Sequence, residues 1–344
     1  MTYIIFFLIT TIFHIILLNN SVKIANYLNL NDNPDYIRKF QKKPIPLIGG
    51  AIICLALVIN LFFLKTSEIY FSENTFIYFM PLITIIGLID DKYDLSASLK
   101  FFFTIIFFIL FFYFNKDLII SELRFSSFSY VLNINPFLSI PFTILCCLLL
   151  TNSINMIDGK NGLCSSIQIV ILFFLAFYII RQNHLDNNEI NFKNENLVLI
   201  FLYTLFLIIF LFYNIKGSIF LGDAGTYLGS FVIIYLVLDI YSSYSLLLNS
   251  EQIFFLLILP GIDMFRVFIV RLLNKKNPFK ADTQHLHNLI AKKIKSHKKI
   301  TIIISFSLFI PNLIIIIFPT QMLLFLVIYL FIYLSSLRYL YKSE

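Results

Sequence analysis

The sequence predicts an all-α polytopic membrane protein with about eleven transmembrane helices and its polar clusters on cytoplasmic loops. Three observations carry that prediction. First, 59% of the 344 residues are hydrophobic and only 13% are charged, where a soluble domain carries about a quarter charged residues; the mean hydropathy is +0.87. Second, apolar runs of roughly 17–23 residues recur along the whole chain, the length needed to cross a bilayer. Third, the basic residues are distributed unevenly between alternate loops.

The predicted spans are 2–18, 46–64, 76–90, 98–114, 136–151, 163–180, 197–213, 218–239, 252–273, 300–318 and 320–340. The first has no basic leader and no small-residue cleavage site, so it is expected to stay as an anchor rather than be removed as a signal peptide. Segment 119–135, short and containing Ser and β-forming residues, is expected as an extramembrane hairpin, and 182–196 as a polar loop. No internal repeat is visible, and one integral membrane domain is expected over 1–344. With the N-terminus outside, 20 of the 26 lysines and arginines fall on inner segments and 5 on outer loops, with Arg266 inside a span. That bias satisfies the positive-inside rule. It accounts for the net charge of +7 without nucleic acid as a partner. Cys54, Cys146, Cys147 and Cys164 have neither disulfide nor metal-ligand spacing. His14, within the first span, is expected to be a packed histidine.

Four polar clusters fall on the inner side. Gly87-Leu-Ile-Asp90-Asp91 ends the third span. Adjacent carboxylates at a span end repel each other and cost desolvation, so they face water, a cation or a substrate. Lys100 opens the next span, as a phosphate contact or as a lysine reaching the interface. Thr151-Asn-Ser-Ile-Asn155-Met-Ile-Asp158-Gly-Lys-Asn-Gly162 separates two apolar runs. Asn152, Asn155 and Asp158 recur every third residue, so neighbours in that series share a helix face. An Asn oxygen is a neutral hard ligand suited to Mg²⁺, although Asn and Asp-Gly are equally cap and turn formers. Gly217-Ser-Ile-Phe-Leu-Gly222-Asp223-Ala-Gly225 begins the eighth span; its glycines allow close approach, and Asp223 is the residue that helix packing leaves unexplained. The fourth cluster runs from Pro260-Gly261-Ile-Asp263 and Arg266 through Asp282-Thr-Gln284-His285-Leu-His287-Asn288. Pro260-Gly261 predicts a kinked or broken helix, and His285-x-His287 a metal or anion contact.

In this order, GLIDD, TNSINMIDGKNGL, FLGDAGTYLG and ADTQHLHNLI resemble the polyprenyl-phosphate N-acetylhexosamine-1-phosphate transferase family, from about Lys43-Pro44 to Asn288. The first loop motif of the family is only loosely present, as Lys42-Lys43-Pro44-Ile-Pro46…Gly49-Gly50. The His loop is similar to that of the branch using simple UDP-N-acetylhexosamines, with Asn288 where a third histidine is common. The resemblance implies cytoplasmic active-site loops in a bacterial inner membrane. It implies transfer of a sugar 1-phosphate, by default GlcNAc 1-phosphate, from a UDP-sugar to undecaprenyl phosphate, with release of UMP. This would be the first membrane step of a surface polysaccharide such as O-antigen of lipopolysaccharide, capsule or teichoic acid. It implies Mg²⁺, or Mn²⁺ in its place, on Asn155 and Asp223. Asp90 would position, deprotonate or replace the acceptor phosphate as nucleophile, with Asp91 beside it. Lys100, His285 and His287 would contact phosphates, and Asp158 would lie on the nucleotide-sugar side. Family members often form homodimers. The reading from another class is a secondary transporter or lipid flippase; such proteins place polar sites near the bilayer midplane in repeat-related broken helices, whereas here the charges sit at span ends.

Overall fold

The computed structural model describes residues 2–34, 43–66, 75–185, 194–243, 248–275 and 284–341. Arg38, Lys39 and Lys42 of the first inner loop, part of the 182–196 loop, and residues 276–283 of the long inner loop lie outside the described residues. Fourteen α-helices and two small antiparallel ladders are described. Seven helices are long and apolar enough to cross a membrane, or nine with each of two bent pairs taken as one span, among the described residues. The chain is a multi-pass membrane protein. It divides into two compact units, Met1–Asn115 with Ile179–Tyr235 and Lys116–Tyr178 with Leu236–Glu344.

The first unit holds α1 (Thr2–Asn19), α2 (Ser21–Leu28), α3 (Gly49–Thr66), α4 (Phe76–Tyr93), α5 (Ala97–Phe114), α8 (Glu195–Asn214) and most of α9 (Gly222–Ser243). The pair α1–α2 bends by 64°. Two of the eleven predicted spans fall on helices outside that count: α3, whose apolar stretch Gly49–Lys65 is under 18 residues, and α4, whose last turns carry Asp90, Asp91 and Lys92. Phe76, Phe107 and Phe111 pack against Phe231, with ring centroids about 5 Å apart. That aromatic core fixes α4, α5 and α9. His14 is fully buried with its ring against Phe206.

A short backbone clip sets the start of α9. Strand β2 (Ile45–Pro46) pairs with β1 (Asn31–Asp32). Beyond it, Phe220 N–H donates to the Pro46 carbonyl, while Gly49 and Gly50 N–H donate to the Phe220 and Leu221 carbonyls at 3.1 and 2.9 Å. The helices then cross closely. A Cβ on Gly50 would strike the backbone of Gly225, and one on Gly87 would lie 2.5 Å from the Ala224 backbone. The loose Pro46…Gly49-Gly50 motif is thus one half of the contact that seats GDAG.

The second unit holds the hairpin β3 (Glu122–Phe125) and β4 (Tyr130–Asn133), α6 (Pro136–Ile157), most of α7 (Leu163–Leu185), α10 (Ser250–Leu256), α11 (Ile258–Leu273), α12 (Leu286–Lys293), α13 (His297–Ile317) and α14 (Met322–Tyr341). The hairpin expected in 119–135 pairs Glu122 with Asn133 and Phe125 with Tyr130. It is held at its turn by Glu251, whose carboxylate accepts from Ser126 and Ser127 N–H at 3.0 Å each. The break expected at Pro260-Gly261 falls at Leu257, where α10 and α11 meet at 75°. Pro260 has no N–H to continue the ladder and sits in the first turn of α11, where none is needed. Asn312 Nδ2 donates to the Phe255 carbonyl across the break at 3.0 Å; inside a membrane such backbone groups need an internal partner.

Candidate active site

In the first unit the polar groups gather at the N-terminus of α9. Gly222 has φ +72°, and Asp223 and Ala224 follow it with backbone N–H groups not yet used by the helix. Helix N-termini favour anions. Here Asp91 is the anion: its Oδ1 accepts from Asp223 N–H at 2.8 Å and its Oδ2 from Ala224 N–H at 3.0 Å. A Cβ on Gly222 would lie 2.6 Å from Asp91 Oδ2, so glycine is required both for the left-handed φ and for the space. Asp91 therefore caps α9 from α4 and aims Asp223.

Asp90 points elsewhere. Its Oδ1 accepts from Leu95 N–H at 3.0 Å, in the turn that Asp94 closes with φ +48°. Its Oδ2 meets Lys100 Nζ at 2.6 Å, and Lys100 Nζ also stands 3.6 Å from Asp223 Oδ2. The Asp90 side chain is 1% exposed, against 30% for Lys100 and 29% for Asp223. The members open to solvent are thus Lys100 and Asp223. Lys100 is brought there because Ser96 caps α5, its side chain accepting from Leu99 N–H, and starts the helix one turn earlier. Asp90 and Asp223 lie within side-chain hydrogen-bonding reach; two carboxylates so close need a proton or a cation to offset their repulsion.

In the second unit α6 runs helically to Ile157, with Asp158 as its C-cap, so Asn152 and Asn155 do share a face. Asn152 Nδ2 reaches Met264 Sδ at 3.5 Å; Asn155 and Asp158 are half-buried. The turn that follows supports His287. A Cβ on Gly159 would strike the His287 imidazole, so the ring lies against the bare Cα. His287 is buried and its ring stacks parallel to that of His285, centroids 5.8 Å apart. Burial first, then the neighbouring His285, push the His287 pKa down to about 3, so it is neutral at physiological pH. Thr301 Oγ1 donates to the Asn161 carbonyl at 3.1 Å, tying the same turn to α13.

The sequence singled out Asp263 and Arg266 only as members of the fourth cluster and gave Tyr333 no place. The structure makes them a network. Asp263 accepts from Leu286 N–H at 3.1 Å, from Arg266 Nη2 at 2.7 Å and from the Tyr333 hydroxyl at 3.0 Å, and its Oδ2 pairs with His285 Nδ1 at 3.0 Å. Arg266 also donates to the Gln284 carbonyl at 2.6 Å. The available signal was an Asp-x-x-Arg pair, i and i+3 on one helix, inside an apolar span where charges are costly.

Among the described residues no group of three or more His, Cys, Asp or Glu is placed to hold a metal ion. In the first unit the hard carboxylate oxygen of Asp223, 29% exposed, is of the donor type that fits such a cation. Mg²⁺ binds through one or two protein ligands while keeping waters and substrate phosphates.

Residues 74–241 match the glycosyl transferase family 4 model. The chain is 28% identical over 292 residues to the probable undecaprenyl-phosphate N-acetylglucosaminyl 1-phosphate transferase of Bacillus subtilis, covering 82% of this chain and 75% of that protein. It is 26% identical over 281 residues to the undecaprenyl-phosphate alpha-N-acetylglucosaminyl 1-phosphate transferase of Thermotoga maritima, covering 80% and 78%. The enzyme of the same name from Escherichia coli K12 is 26% identical over 297 residues, covering 83% and 74%.

Proposed function

We infer from membership of glycosyl transferase family 4, to which this chain belongs as a sugar-1-phosphate transferase, that it moves N-acetylhexosamine 1-phosphate from a UDP-sugar to undecaprenyl phosphate and releases UMP. GlcNAc is the sugar the relatives' names favour. The enzyme class sets the transporter reading aside. The observation that carries the proposal is the Asp90–Lys100–Asp223 cluster at the capped N-terminus of α9.

In the proposed reaction an oxygen of the acceptor phosphate attacks the sugar-bearing phosphorus of the donor. The bond from that phosphorus to the bridging oxygen breaks, and UMP leaves with the electron pair. Lys100, half-open and beside two carboxylates, contacts a phosphate and is held ready by Asp90 and Asp223. Asp90 positions the acceptor through Lys100. Its buried carboxylate, already bonded to Lys100 and Leu95 N–H, favours direct transfer over an aspartyl intermediate. His285 and His287 contact phosphates, with the His287 ring packed against Gly159, and Asp158 lies on the nucleotide-sugar side. Asn155 and Asp223 are the proposed Mg²⁺ ligands, with Mn²⁺ as a substitute; bound there, the ion would neutralise pyrophosphate charge.

Eleven crossings, a single transferase domain over the whole chain, cytoplasmic active-site loops in a bacterial inner membrane and a homodimer complete the proposal. The loop charge bias supports the orientation. The product would begin a cell-surface polysaccharide such as O-antigen. The test is Asp223→Ala in purified protein supplied with UDP-GlcNAc, Mg²⁺ and polyprenyl phosphate. UMP release is expected to fall by on the order of 10²-fold or more, the scale of losing a key electrostatic contact. Release at the unmutated rate would sink the Asp223 assignment.

A further inference from the structure

We propose that Asp263 is a positioning residue for His285, and that the last helix, α14, completes the device through Tyr333. The inference rests on the role given to His285 above.

Asp263 is 4% exposed on α11, and its carboxylate has four partners. It accepts the N–H of Leu286, the first residue of α12, at 3.1 and 3.2 Å. It takes His285 Nδ1 at 3.0 Å. It is itself fixed by Arg266 at 2.7 Å and by the Tyr333 hydroxyl at 3.0 Å. A carboxylate accepts and does not donate. The pairing therefore makes Nδ1 the proton-bearing nitrogen of His285 and leaves Nε2 as the working end of the ring. A carboxylate behind an imidazole sets tautomer and aim in the same way in metal sites and catalytic triads.

The geometry repeats the one at α9. There Asp91 reaches from α4 to the first N–H groups of a helix and aims the adjacent Asp223. Here Asp263 reaches from α11 to the first N–H of α12 and aims the adjacent His285. Tyr333 lies far beyond the last sequence motif, yet its hydroxyl also accepts from Arg266 Nε at 3.0 Å. Arg266 Nη1 reaches Tyr341 on the same helix at 3.2 Å. α14 is therefore tied by two hydroxyls to Asp263 and Arg266 of α11, which in turn bond His285 and the Gln284 carbonyl.

A double-mutant cycle tests this in purified full-length protein, read as UMP release from UDP-GlcNAc with polyprenyl phosphate. The variants are Asp263→Asn, His285→Ala and the pair together. If Asp263 acts through His285, Asp263→Asn lowers kcat by roughly tenfold or more. The double variant then loses no more than His285→Ala alone, to within about threefold, because residues acting as a unit are non-additive. Losses that multiply would overturn the proposal, since a purely structural role adds independently. Should Asp263→Asn fail to fold, Tyr333→Phe takes its place in the same cycle, with a milder loss and the same non-additivity expected. Unchanged activity of His285→Ala would refute both the phosphate role of His285 and this proposal. A wild-type protein that releases no UMP would instead refute the transferase reaction.

Discussion

At Asp91 both carboxylate oxygens are committed to the α9 backbone, whereas its neighbour Asp90 is committed to a lysine. Two residues adjacent in sequence thus do different work, because each is met by a different element. The spacing of GLIDD showed that two carboxylates end a span; it held no sign of which one caps a helix 132 residues away. Gly159 is similar. In the sequence it is a turn former, and in the structure it is the floor on which the His287 ring rests. Gly159→Ala is expected to displace His287 and lower UMP release by roughly tenfold or more, measured at saturating donor. His287 also carries a pH signature. An unfolded imidazole takes its proton near pH 6.5, whereas His287 in the fold does so only at about 3. Between those values the unfolded chain binds the extra proton, so stability declines as pH falls below about 6.5. His287→Gln removes this contribution. Its melting temperature should drop less than that of the wild type between about pH 7.5 and 5, and parallel drops would contradict the burial of a neutral ring.

The apolar elements were legible because hydrophobic run length and helix ends are local properties. The break beside Pro260 and the β3–β4 hairpin follow from residues at or near them, whereas the α1–α2 bend was not expected. The extension of α6 from the expected 151 to Ile157 was less legible, because a polar helix end reads like a loop until its partners are known. Elements that meet only in three dimensions left no local trace: the Pro46–Phe220 clip, and the crossing of Gly50 with Gly225. The crossing makes a prediction. Gly50→Ala inserts a methyl into the α9 backbone, a contact that no side-chain rotation relieves, and overpacking of this kind costs about 1–3 kcal/mol. A lower melting temperature in detergent is expected, with activity lost in parallel as Asp223 moves. An unchanged melting point would show that the helices stand further apart than described.

At the scale of the molecule, charge asymmetry and motif order led the sequence to predict the polar clusters on one membrane face, and the match of residues 74–241 to the glycosyl transferase family 4 model, with the similarity to named sugar-1-phosphate transferases, then indicated the class of reaction. Neither could show that the starts of α9 and α12 are each organised by a carboxylate reaching in from another helix, Asp91 for one and Asp263 for the other. The central claim is that a sugar 1-phosphate, rather than a sugar alone, passes to the lipid. The most direct measurement incubates the purified protein with undecaprenyl phosphate, Mg²⁺ and a panel of UDP-N-acetylhexosamines, and identifies both products. The account predicts a polyprenyl-pyrophosphate sugar formed one-for-one with UMP, best with UDP-GlcNAc. Release of UDP with a lipid monophosphate sugar, or no lipid product from any donor, would contradict it.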